Sequence, residues 1–335
     1  MKILVLVGGE SAEREVSLNS GKAIVSALQQ AGHEVLSVDA GSDRRELELF
    51  STGQLASAAS AQDAQIATTT AANANVTGPH ELQDYDCVFI GLHGGTGEDG
   101  TLQALLDLAG IRYTGSGARA SAIAMDKYRS KLIFKALDIP TPEMYFFGGL
   151  NEALPAADGW PLPLVVKPNA QGSTVGLSIV RDESELRGAL ELAAEYDREI
   201  LIEKYIPGRE ITVAILGDEP LPVVEIIPKS GFYDYRAKYT AGESEYVCPA
   251  VLAAETTARA QSHALTAFKA LGCAGYARVD FRLDENENLY CLELNTLPGM
   301  TATSLVPKAA RAAGLSFGEL LQRIIELATS ANLRK

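Results

Sequence analysis

The sequence has few cysteines, and their spacing excludes two common kinds of site. No two of them stand in the CxxC arrangement of zinc and redox motifs, so the sequence predicts reduced thiols without a disulfide framework. The four cysteines are Cys87, Cys248, Cys273 and Cys291.

Long apolar runs are also missing. The apolar segment from Met1 to Val7 is shorter than the roughly 20 residues of a membrane span. It runs into Glu10 and Glu13 without a small-residue cleavage site, so it predicts a buried strand and not a signal peptide. We therefore expect a soluble cytoplasmic protein with no membrane insertion.

Positive charge is scarce as well. The chain carries 29 Lys and Arg against 43 Asp and Glu, a formal net charge of −14. Nucleic acid is not expected as a partner, because its phosphate backbone binds surfaces rich in Lys and Arg. A single nucleotide remains compatible, since its phosphates need only a few cations and backbone N–H groups. The 335 residues predict two or three domains.

Apolar periodicity predicts an α/β segment at the beginning of the chain. Ile3 to Val7 is a continuous apolar run, typical of a strand covered on both faces, and Gly8-Gly9 then turns the chain. Residues 51–77 are rich in Ala, Ser and Thr, which predicts a surface insertion with little core. One helix is predicted from about Ala118 to Leu137, before the prolines at 140 and 142.

The second half of the chain predicts several strands and a long loop. Strands are expected at Leu164–Lys167, Ile200–Glu203, Ile211–Leu216 and Val223–Ile227. Residues 228–249 are polar, aromatic and interrupted by glycine, without a regular period. Such a loop in a compact enzyme is typically a lid or disordered.

Lys167 ends one of these strands, and a loop of small residues follows it. In Gly172-Ser173-Thr174 the glycine permits close backbone approach, so N–H groups can converge on phosphate oxygens while Lys167 adds a charge. No GxxxxGK[ST] string occurs, so the loop is not a P-loop. A plain hairpin turn with a surface lysine is the alternative.

The segment 277–295 predicts a hairpin with two carboxylates side by side. Burying its two apolar faces together places Asp280 opposite Glu293 and Arg278 opposite Asn295. Adjacent carboxylates are unfavourable unless a cation bridges them, and oxygen ligands of this kind suit Mg²⁺. A solvated polar face is the alternative. The apolar faces consist of Val279, Phe281 and Leu283 on the first strand, and Tyr290, Leu292 and Leu294 on the second.

Two polar stretches follow strands of the first segment. In the stretch 10–17 a carboxylate such as Glu13 could hold an ammonium group, although a charged helix start explains it equally. The stretch lacks GxGxxG, so a dinucleotide site is disfavoured. In the stretch 92–101, His93 could orient a carboxylate at a helix N-terminus. A flexible turn with a half-buried histidine is the alternative.

The motifs described above and several further short motifs follow one another along the chain in a specific order. They are Gly8-Gly9 with Ser11–Ser17, Leu92-His93-Gly94 with Gly97–Thr101, Tyr113–Gly117 with Met125-Asp126-Lys127, Lys167-Pro168 with Gly172–Gly176, Phe232–Tyr235 with Lys238-Tyr239, Arg278-Val279-Asp280, and Glu293–Thr296 with Pro298–Thr301. Together they resemble the D-alanine–D-alanine ligase family over nearly the whole chain.

The resemblance implies an ATP-grasp fold of α/β and α+β parts. An N-terminal Rossmann-like (pre-ATP-grasp) domain would span 1–115, a central domain 116–202 and a C-terminal domain 203–335, which carries the lid 228–249. The implied reaction joins two D-alanine molecules through a D-alanyl phosphate and releases ADP and phosphate, for peptidoglycan precursors. ATP and two Mg²⁺ ions are the implied cofactors, Mn²⁺ could replace Mg²⁺, and a homodimer is expected.

The resemblance also implies residues for D-alanine. Glu13 would hold the ammonium group of the first D-alanine, in a hydrogen-bonded group with Ser173 and Tyr239. Ser304 and Leu305 would hold the carboxylate of the second D-alanine.

Other matching residues would serve the phosphates and the metal. By the same resemblance, Asp280, Glu293 and Asn295 would bind the two Mg²⁺ ions. Arg278 would stabilise the transferred phosphate and the tetrahedral intermediate, and His93 would contribute to substrate binding.

The remaining implied residues contact ATP. Lys127 and Lys167 would bind its phosphates, Lys238 its γ-phosphate and Glu210 its ribose. The residues implied at the adenine edge are Glu203, Lys204, Tyr205 and Ile206.

The chain departs from the family pattern at Gly94-Gly95-Thr96, where relatives often carry Arg, and at Asn169-Ala170-Gln171, which replaces a more charged loop. These departures leave the local contacts open, including the role of His93.

The nearest alternative function is a related ligase that forms a D-alanyl ester or uses another D-amino acid. Tyr239 favours the dipeptide, because Phe at this place goes with ester formation in the family. A non-catalytic nucleotide-binding regulator and a Rossmann oxidoreductase fit less well.

Overall fold

A computed structural model describes residues 1–41, 48–50, 82–148, 161–229 and 242–330. The predicted insertion 51–77 lies outside the described residues, and so do Lys238 and Tyr239 of the predicted lid. The strands of the described residues form three sheets.

The elements are numbered in chain order. The strands are β1 (Lys2–Val7), β2 (Glu34–Asp39), β3 (Glu48–Phe50), β4 (Cys87–Ile90), β5 (Met144–Phe147), β6 (Leu164–Pro168), β7 (Ser178–Val180), β8 (Ile200–Lys204), β9 (Arg209–Leu216), β10 (Glu219–Pro220), β11 (Val224–Pro228), β12 (Ser244–Val247), β13 (Tyr276–Leu283) and β14 (Leu289–Asn295). The helices are α1 (Arg14–Gln30), α2 (Thr101–Leu108), α3 (Ala118–Met125), α4 (Lys127–Ala136), α5 (Glu183–Ala194), α6 (Ala254–Ala270), α7 (Leu305–Ala312) and α8 (Phe317–Thr329).

The first sheet has the order β3-β2-β1-β4, with β1 parallel to both β2 and β4. The predicted run from Ile3 to Val7 forms the interior strand β1, which is buried on both faces and therefore needs apolar residues at every position. Because β1 and β4 are parallel, the loops that follow them meet at one edge of the sheet. This places Glu13 and His93 on the same side of the molecule.

The other two sheets are antiparallel. The central sheet has the order β5-β8-β6-β7, and the apolar face of α5 packs against it. The C-terminal sheet has the order β12-β11-β9-β13-β14, with β10 paired to β9. One face of this sheet is covered by α6, α3 and α4, and the other shares a core with α7, α8 and the first sheet. The mixed α/β and α+β architecture predicted from the sequence is confirmed.

The single helix predicted from Ala118 to Leu137 is wrong, because the chain breaks it at Asp126. Asp126 has φ −80° and ψ 95°, and its side chain accepts a hydrogen bond from the N–H of Arg129, 2.9 Å away. An aspartate in this position caps a new helix. As a result Lys127 becomes the first residue of α4 and sits at the helix N-terminus.

The two predicted residue pairs of the C-terminal hairpin are confirmed, but the register shifts by one residue beyond Asp280, so one of the predicted faces is wrong. Arg278 pairs with Asn295 and Asp280 with Glu293, whereas Phe281 pairs with Cys291. Leu292 is therefore the extra residue of a β-bulge, which reverses the faces of the preceding part of β14. Contrary to the prediction, Leu289 and Cys291 are buried with the first strand, and Tyr290 and Leu292 are only partly buried.

The observed elements also modify the predicted boundaries. The proposed border between residues 202 and 203 falls inside β8, which belongs to the central sheet as far as Lys204. Helices α3 and α4, assigned to the central domain from the sequence, pack on the C-terminal sheet instead. Within the predicted lid 228–249, residues Ser244–Val247 form β12 and pair with β11.

Among the helices of the described residues, none is both long enough and apolar enough to cross a bilayer.

Close packing of α1 on β1 gives a first prediction. A Cβ at Gly21 would lie 2.1 Å from Cγ1 of Val7, which is a stiff branched side chain. We expect Gly21→Ala to lower the free energy of unfolding by about 1–3 kcal/mol, the usual effect of overpacking. Urea unfolding would measure it.

Gly188 in α5 is the matched control, because a Cβ there would meet nothing within 4 Å. Gly188→Ala should stabilise the protein by about 0.5–1 kcal/mol through helix propensity alone. Equal effects of the two substitutions on stability would contradict the proposed overpacking of Gly21→Ala against Val7.

Candidate active site

Two adjoining cavities lie where the first sheet, the central sheet and the C-terminal hairpin meet. Their volumes are about 680 and 90 Å³, and Lys127, Ser173 and Glu293 line both of them. The larger cavity is also lined by the predicted residues Glu13, His93, Arg278, Asn295, Ser304 and Leu305. The smaller cavity is also lined by the predicted residues Lys167, Glu210 and Asp280.

Glu13 is held at the larger cavity by the loop between β1 and α1. The hydroxyl of Ser17 accepts a hydrogen bond from the N–H of Gly8 (2.8 Å) and donates one to the carbonyl of Gly91 (2.6 Å). Ser11 likewise donates to the carbonyl of His93 and accepts the N–H of Glu13. These serines tie the loops after β1 and β4 together, which fixes the backbone of Glu13.

The Gly172-Ser173 loop meets the Glu13 carboxylate from the central sheet. Ser173 donates a hydrogen bond from its hydroxyl to Oε1 of Glu13. Ser173 and Thr174 have φ of +52° and +62°, an uncommon conformation for residues with a Cβ. A Cβ at Gly172 would lie 2.9 Å from Oε2 of Glu13, so a larger residue here would displace the carboxylate.

The two hairpin carboxylates face one another and are each paired with a cation. Arg278 donates to both oxygens of Asp280 at 2.9 and 3.2 Å, and the Nζ of Lys127 lies 3.3 Å from Oε2 of Glu293. Lys127 also donates to the carbonyl of Gln171, 2.7 Å away. The like charges of Asp280 and Glu293 are thus compensated from two different segments of the chain.

The donor set fits a divalent cation that is completed by phosphate oxygens. No three His, Cys, Asp or Glu side chains cluster as a metal site in the described part of the chain. Mg²⁺ is commonly bound by only one or two carboxylates together with substrate phosphates. Asp280 and Glu293 line the smaller cavity and supply that number.

Lys167 and Glu203 form a buried ion cluster with Lys131. Nζ of Lys167 lies 2.7 Å from Oε2 of Glu203, and Lys131 pairs with the other oxygen of the same carboxylate. Burial would raise the pKa of Glu203, but the two lysines outweigh it and the pKa is lowered. The carboxylate of Glu203 therefore stays charged.

Glu210 lies close to the adenine-edge residues predicted from the sequence. Its carboxylate is 3.3 Å from Nη1 of Arg282, whose Nε donates to the carbonyl of Ile206 at 3.1 Å. The N–H groups of Lys204 and Tyr205 bond to protein carbonyls. Residues 203–206 are not among those lining either cavity, whereas Glu210 lines the smaller one.

His93 connects the first sheet to the loop after β14. Its Nδ1 lies 2.9 Å from the carbonyl of Leu297, and its Nε2 lies 3.1 Å from the hydroxyl of Ser20. Burial lowers the pKa of His93, so the ring is neutral and has one donor and one acceptor nitrogen. The carbonyl can only accept, so Nδ1 carries the proton and Ser20 donates to Nε2. Ser20 also accepts the N–H of Met300 at 3.3 Å.

Glu98 is a cavity residue to which the sequence assigned no role. It is buried and accepts the N–H of Gly94 at 2.9 Å. Burial, followed by the charge of Glu13, raises the pKa of Glu98 to about 7. A carboxyl group with this pKa can exchange a proton near neutral pH.

Ser304 and Asn295 both line the larger cavity and hydrogen-bond to its backbone. Ser304 precedes α7, and its hydroxyl accepts the N–H of Thr301 at 3.1 Å. The side-chain oxygen of Asn295 accepts the N–H of Leu297 at 3.0 Å. Both side chains therefore brace the loop between β14 and α7 while they line the cavity.

Asn169, noted in the sequence as a departure, is the centre of a buried hydrogen-bond network. Its Nδ2 donates to Asp126 (3.0 Å) and Glu199 (3.1 Å), and its Oδ1 accepts the N–H of Tyr128 at 2.8 Å. The side chain is fully used and only 1% of the residue is exposed. Asn169 thus ties the N-terminus of α4, with Lys127, to the end of β6.

Two family models match the chain. The model described as "D-ala D-ala ligase N-terminus" matches residues 2–116, and "D-ala D-ala ligase C-terminus" matches residues 133–326. The chain belongs to the D-alanine–D-alanine ligase family. The resemblance seen in the sequence is thereby confirmed.

Individual relatives agree with this family. The chain is 45% identical to the D-alanine–D-alanine ligase of Syntrophotalea carbinolica, over 100% of this chain and 97% of the relative. It is 44% identical to that of Nitrosomonas europaea, over 97% and 96%.

Solved structures of the family have the same fold. The D-alanine–D-alanine ligase of Bacillus anthracis aligns with a TM-score of 0.79 at 36% identity, covering 98% of this chain and 97% of that chain. A structure of a D-alanine–D-alanine ligase from the same organism complexed with ATP aligns with a TM-score of 0.77 at 33% identity and the same coverage.

Four residues that contact the motif residues, or line a cavity beside them, were not predicted from the sequence. Of these, only Glu98 stands within a matched string, and Asn169 was visible as a departure. Lys131 and Arg282 gave no signal, because their partners are distant in sequence. The four residues are Glu98, Lys131, Asn169 and Arg282.

The Asn169 network gives a second prediction. Asn169→Asp removes the two Nδ2 donors and places a carboxylate against Asp126 and Glu199. We expect the free energy of unfolding in urea to fall by about 1–3 kcal/mol, the cost of unsatisfied buried polar groups. The same change at exposed Asn286 should have an effect within about 0.5 kcal/mol. An equally small effect at both positions would contradict the stabilising role of the Asn169 hydrogen bonds.

Proposed function

We propose that this chain joins two D-alanine molecules in an ATP-dependent reaction that releases ADP and phosphate. The observation that carries the proposal is the meeting of Glu13, Ser173, Lys127, Arg278 and Glu293 around two joined cavities. Membership of the D-alanine–D-alanine ligase family supports the same reaction. The dipeptide serves peptidoglycan precursors.

ATP is needed because a carboxylate does not react with an amine directly. An amine does not attack a carboxylate, so an oxygen of the first D-alanine carboxylate attacks the γ-phosphorus and ADP leaves. The amine of the second D-alanine then attacks the carbonyl carbon of the acyl phosphate. Inorganic phosphate leaves, and the new amide nitrogen loses a proton. Such chemistry is accelerated mainly by positioning and charge neutralisation.

The larger cavity suits the two amino acids. Glu13 offers a carboxylate for the ammonium group of the first D-alanine, and its hydrogen bond from Ser173 fixes its direction. Ser304 and the N-terminus of α7 at Leu305 line the same cavity and suit the carboxylate of the second D-alanine. Arg278 also lines this cavity and can stabilise the negative charge that develops on the reacting oxygens.

The smaller cavity suits the phosphates of ATP. Lys127 and Lys167 both line it, and each presents an ammonium group from a different element. Asp280 and Glu293, with Asn295, would hold Mg²⁺, which supplies charge neutralisation to the phosphate oxygens when bound. Arg278 and Lys127 form ion pairs with the same two carboxylates.

Several expectations from the sequence stay predictions. Among them are the roles of the individual site residues, the homodimer, the cytoplasmic location and the role of Tyr239 in favouring a dipeptide over an ester. A related ligase with another acceptor is the alternative function, and it would use the same ATP chemistry.

A coupled assay of ADP release tests the proposed function. We expect ADP formation that requires Mg²⁺ and D-alanine, gives D-alanyl-D-alanine as product, and is not supported by L-alanine. D-Lactate should not replace the second D-alanine. ADP release in the absence of any D-amino acid, or a depsipeptide as the main product, would overturn the assignment.

The hairpin gives a third prediction. Glu293→Gln keeps the size of the side chain but removes the charge that Lys127 and Mg²⁺ would share. We expect D-alanine-dependent ADP formation to fall by at least about 100-fold, since even outer-shell changes at metal sites cost about 10- to 100-fold. Exposed Glu285 in the turn of the same hairpin provides the control, Glu285→Gln, which should retain activity. Near-normal ADP formation by Glu293→Gln would exclude the metal assignment.

A further inference from the structure

Lys131 is a buried cation close to the nucleotide cavity but does not line it. It lies one helical turn after Lys127 on α4 and its side chain is 0% exposed. Its ammonium group pairs with one oxygen of Glu203, while the other oxygen lies 2.7 Å from Nζ of Lys167. A single carboxylate thus stands between two ammonium groups.

The charges of this cluster do not balance. Burial lowers the pKa of Lys131 to about 8 against the opposing effect of Glu203, so Lys131 is still mainly protonated at pH 7. Glu203 is ionised, because the two lysines keep its pKa low despite burial. Cys291 on β14 faces the same lysine, and burial raises the pKa of its thiol, so it stays neutral. The cluster therefore carries one excess positive charge.

We propose that Lys131 is a positioning residue, which shares the charge of Glu203 and so leaves Lys167 free to bind a phosphate of the nucleotide. Without Lys131, Glu203 and Lys167 would form a balanced ion pair, and Lys167 would be drawn away from any other anion. With Lys131 present, the excess charge is exposed only where Lys167 lines the smaller cavity. A phosphate group entering that cavity neutralises it.

A merely structural role for Lys131 predicts a different outcome. If the lysine only stabilised the fold, its removal would lower stability without a specific effect on nucleotide binding. Under the proposal, Lys131→Met keeps the apolar stem and leaves Glu203 with one matched cation. Because Glu203 keeps Lys167 as its matched cation, this variant should still fold, although it loses the ion pair between Glu203 and α4.

Titration calorimetry with Mg²⁺ and ATP, in the absence of D-alanine, tests the proposal. We expect Lys131→Met to bind ATP about 10- to 100-fold more weakly, the effect of one charge-assisted hydrogen bond. The control is Lys135→Met, an exposed lysine one turn further along α4, which should bind ATP like the wild type. Unchanged ATP affinity in Lys131→Met would overturn the proposal, and so would an equal loss in Lys135→Met.

The pH dependence of ATP binding provides a second readout. Since loss of the Lys131 proton restores the balanced pair, the affinity of the wild type should fall as the pH rises through about 8. In Lys131→Met the affinity should be nearly flat over this interval. The same slope in both proteins would overturn the proposal. If Lys131→Met does not fold, Lys131→Gln gives the same comparison, because its side chain is polar but carries no charge.

The inference rests on the proposed function, but different experimental results would contradict the inference and the proposed function. Wild-type protein that forms no ADP from ATP and D-alanine contradicts the ligase reaction, whatever Lys131 does. Wild-type protein that forms ADP normally, together with full ATP affinity in Lys131→Met, contradicts only the role of Lys131.

Discussion

Pairing between carboxylates and cations, buried or partly buried, is the interaction on which this active site depends. Glu203 is paired with two lysines, Asp280 with Arg278, and Glu293 with Lys127. A buried carboxylate without such a partner would cost several kcal/mol, so these pairs hold the central sheet, α4 and the C-terminal hairpin in one arrangement. Two of these cations, Lys127 and Lys167, line the cavity where the phosphates of ATP are proposed to bind. Stability and anion binding thus draw on the same charges.

Hydrogen bonds provide the corresponding link between the first sheet and the C-terminal part. Neutral His93 donates to Leu297 and accepts from Ser20, which in turn accepts the N–H of Met300. Since each group has a single arrangement that satisfies all partners, the loop before Ser304 is held in place. The larger cavity is therefore shaped before any substrate binds.

Irregular backbone occurs where these groups are positioned. The helix break at Asp126 puts Lys127 at a helix N-terminus, and the bulge at Leu292 turns the flanking residues of β14. Positive φ at Ser173 lets its hydroxyl reach Glu13. Each departure lowers local regularity but brings a side chain to a cavity, which is common at functional sites.

The sequence by itself determined the short-range features of this protein. Strand β1, the Lys167 loop and the pairing of Asp280 with Glu293 follow from apolar alternation and turn residues, which act over a few positions. The ordered motifs identified the family. Tertiary structure alone decided the bulge and the partners of Lys131, His93 and Asn169. These depend on which distant segments pack together, and no local pattern encodes an ion pair or hydrogen bond between side chains far apart in the chain.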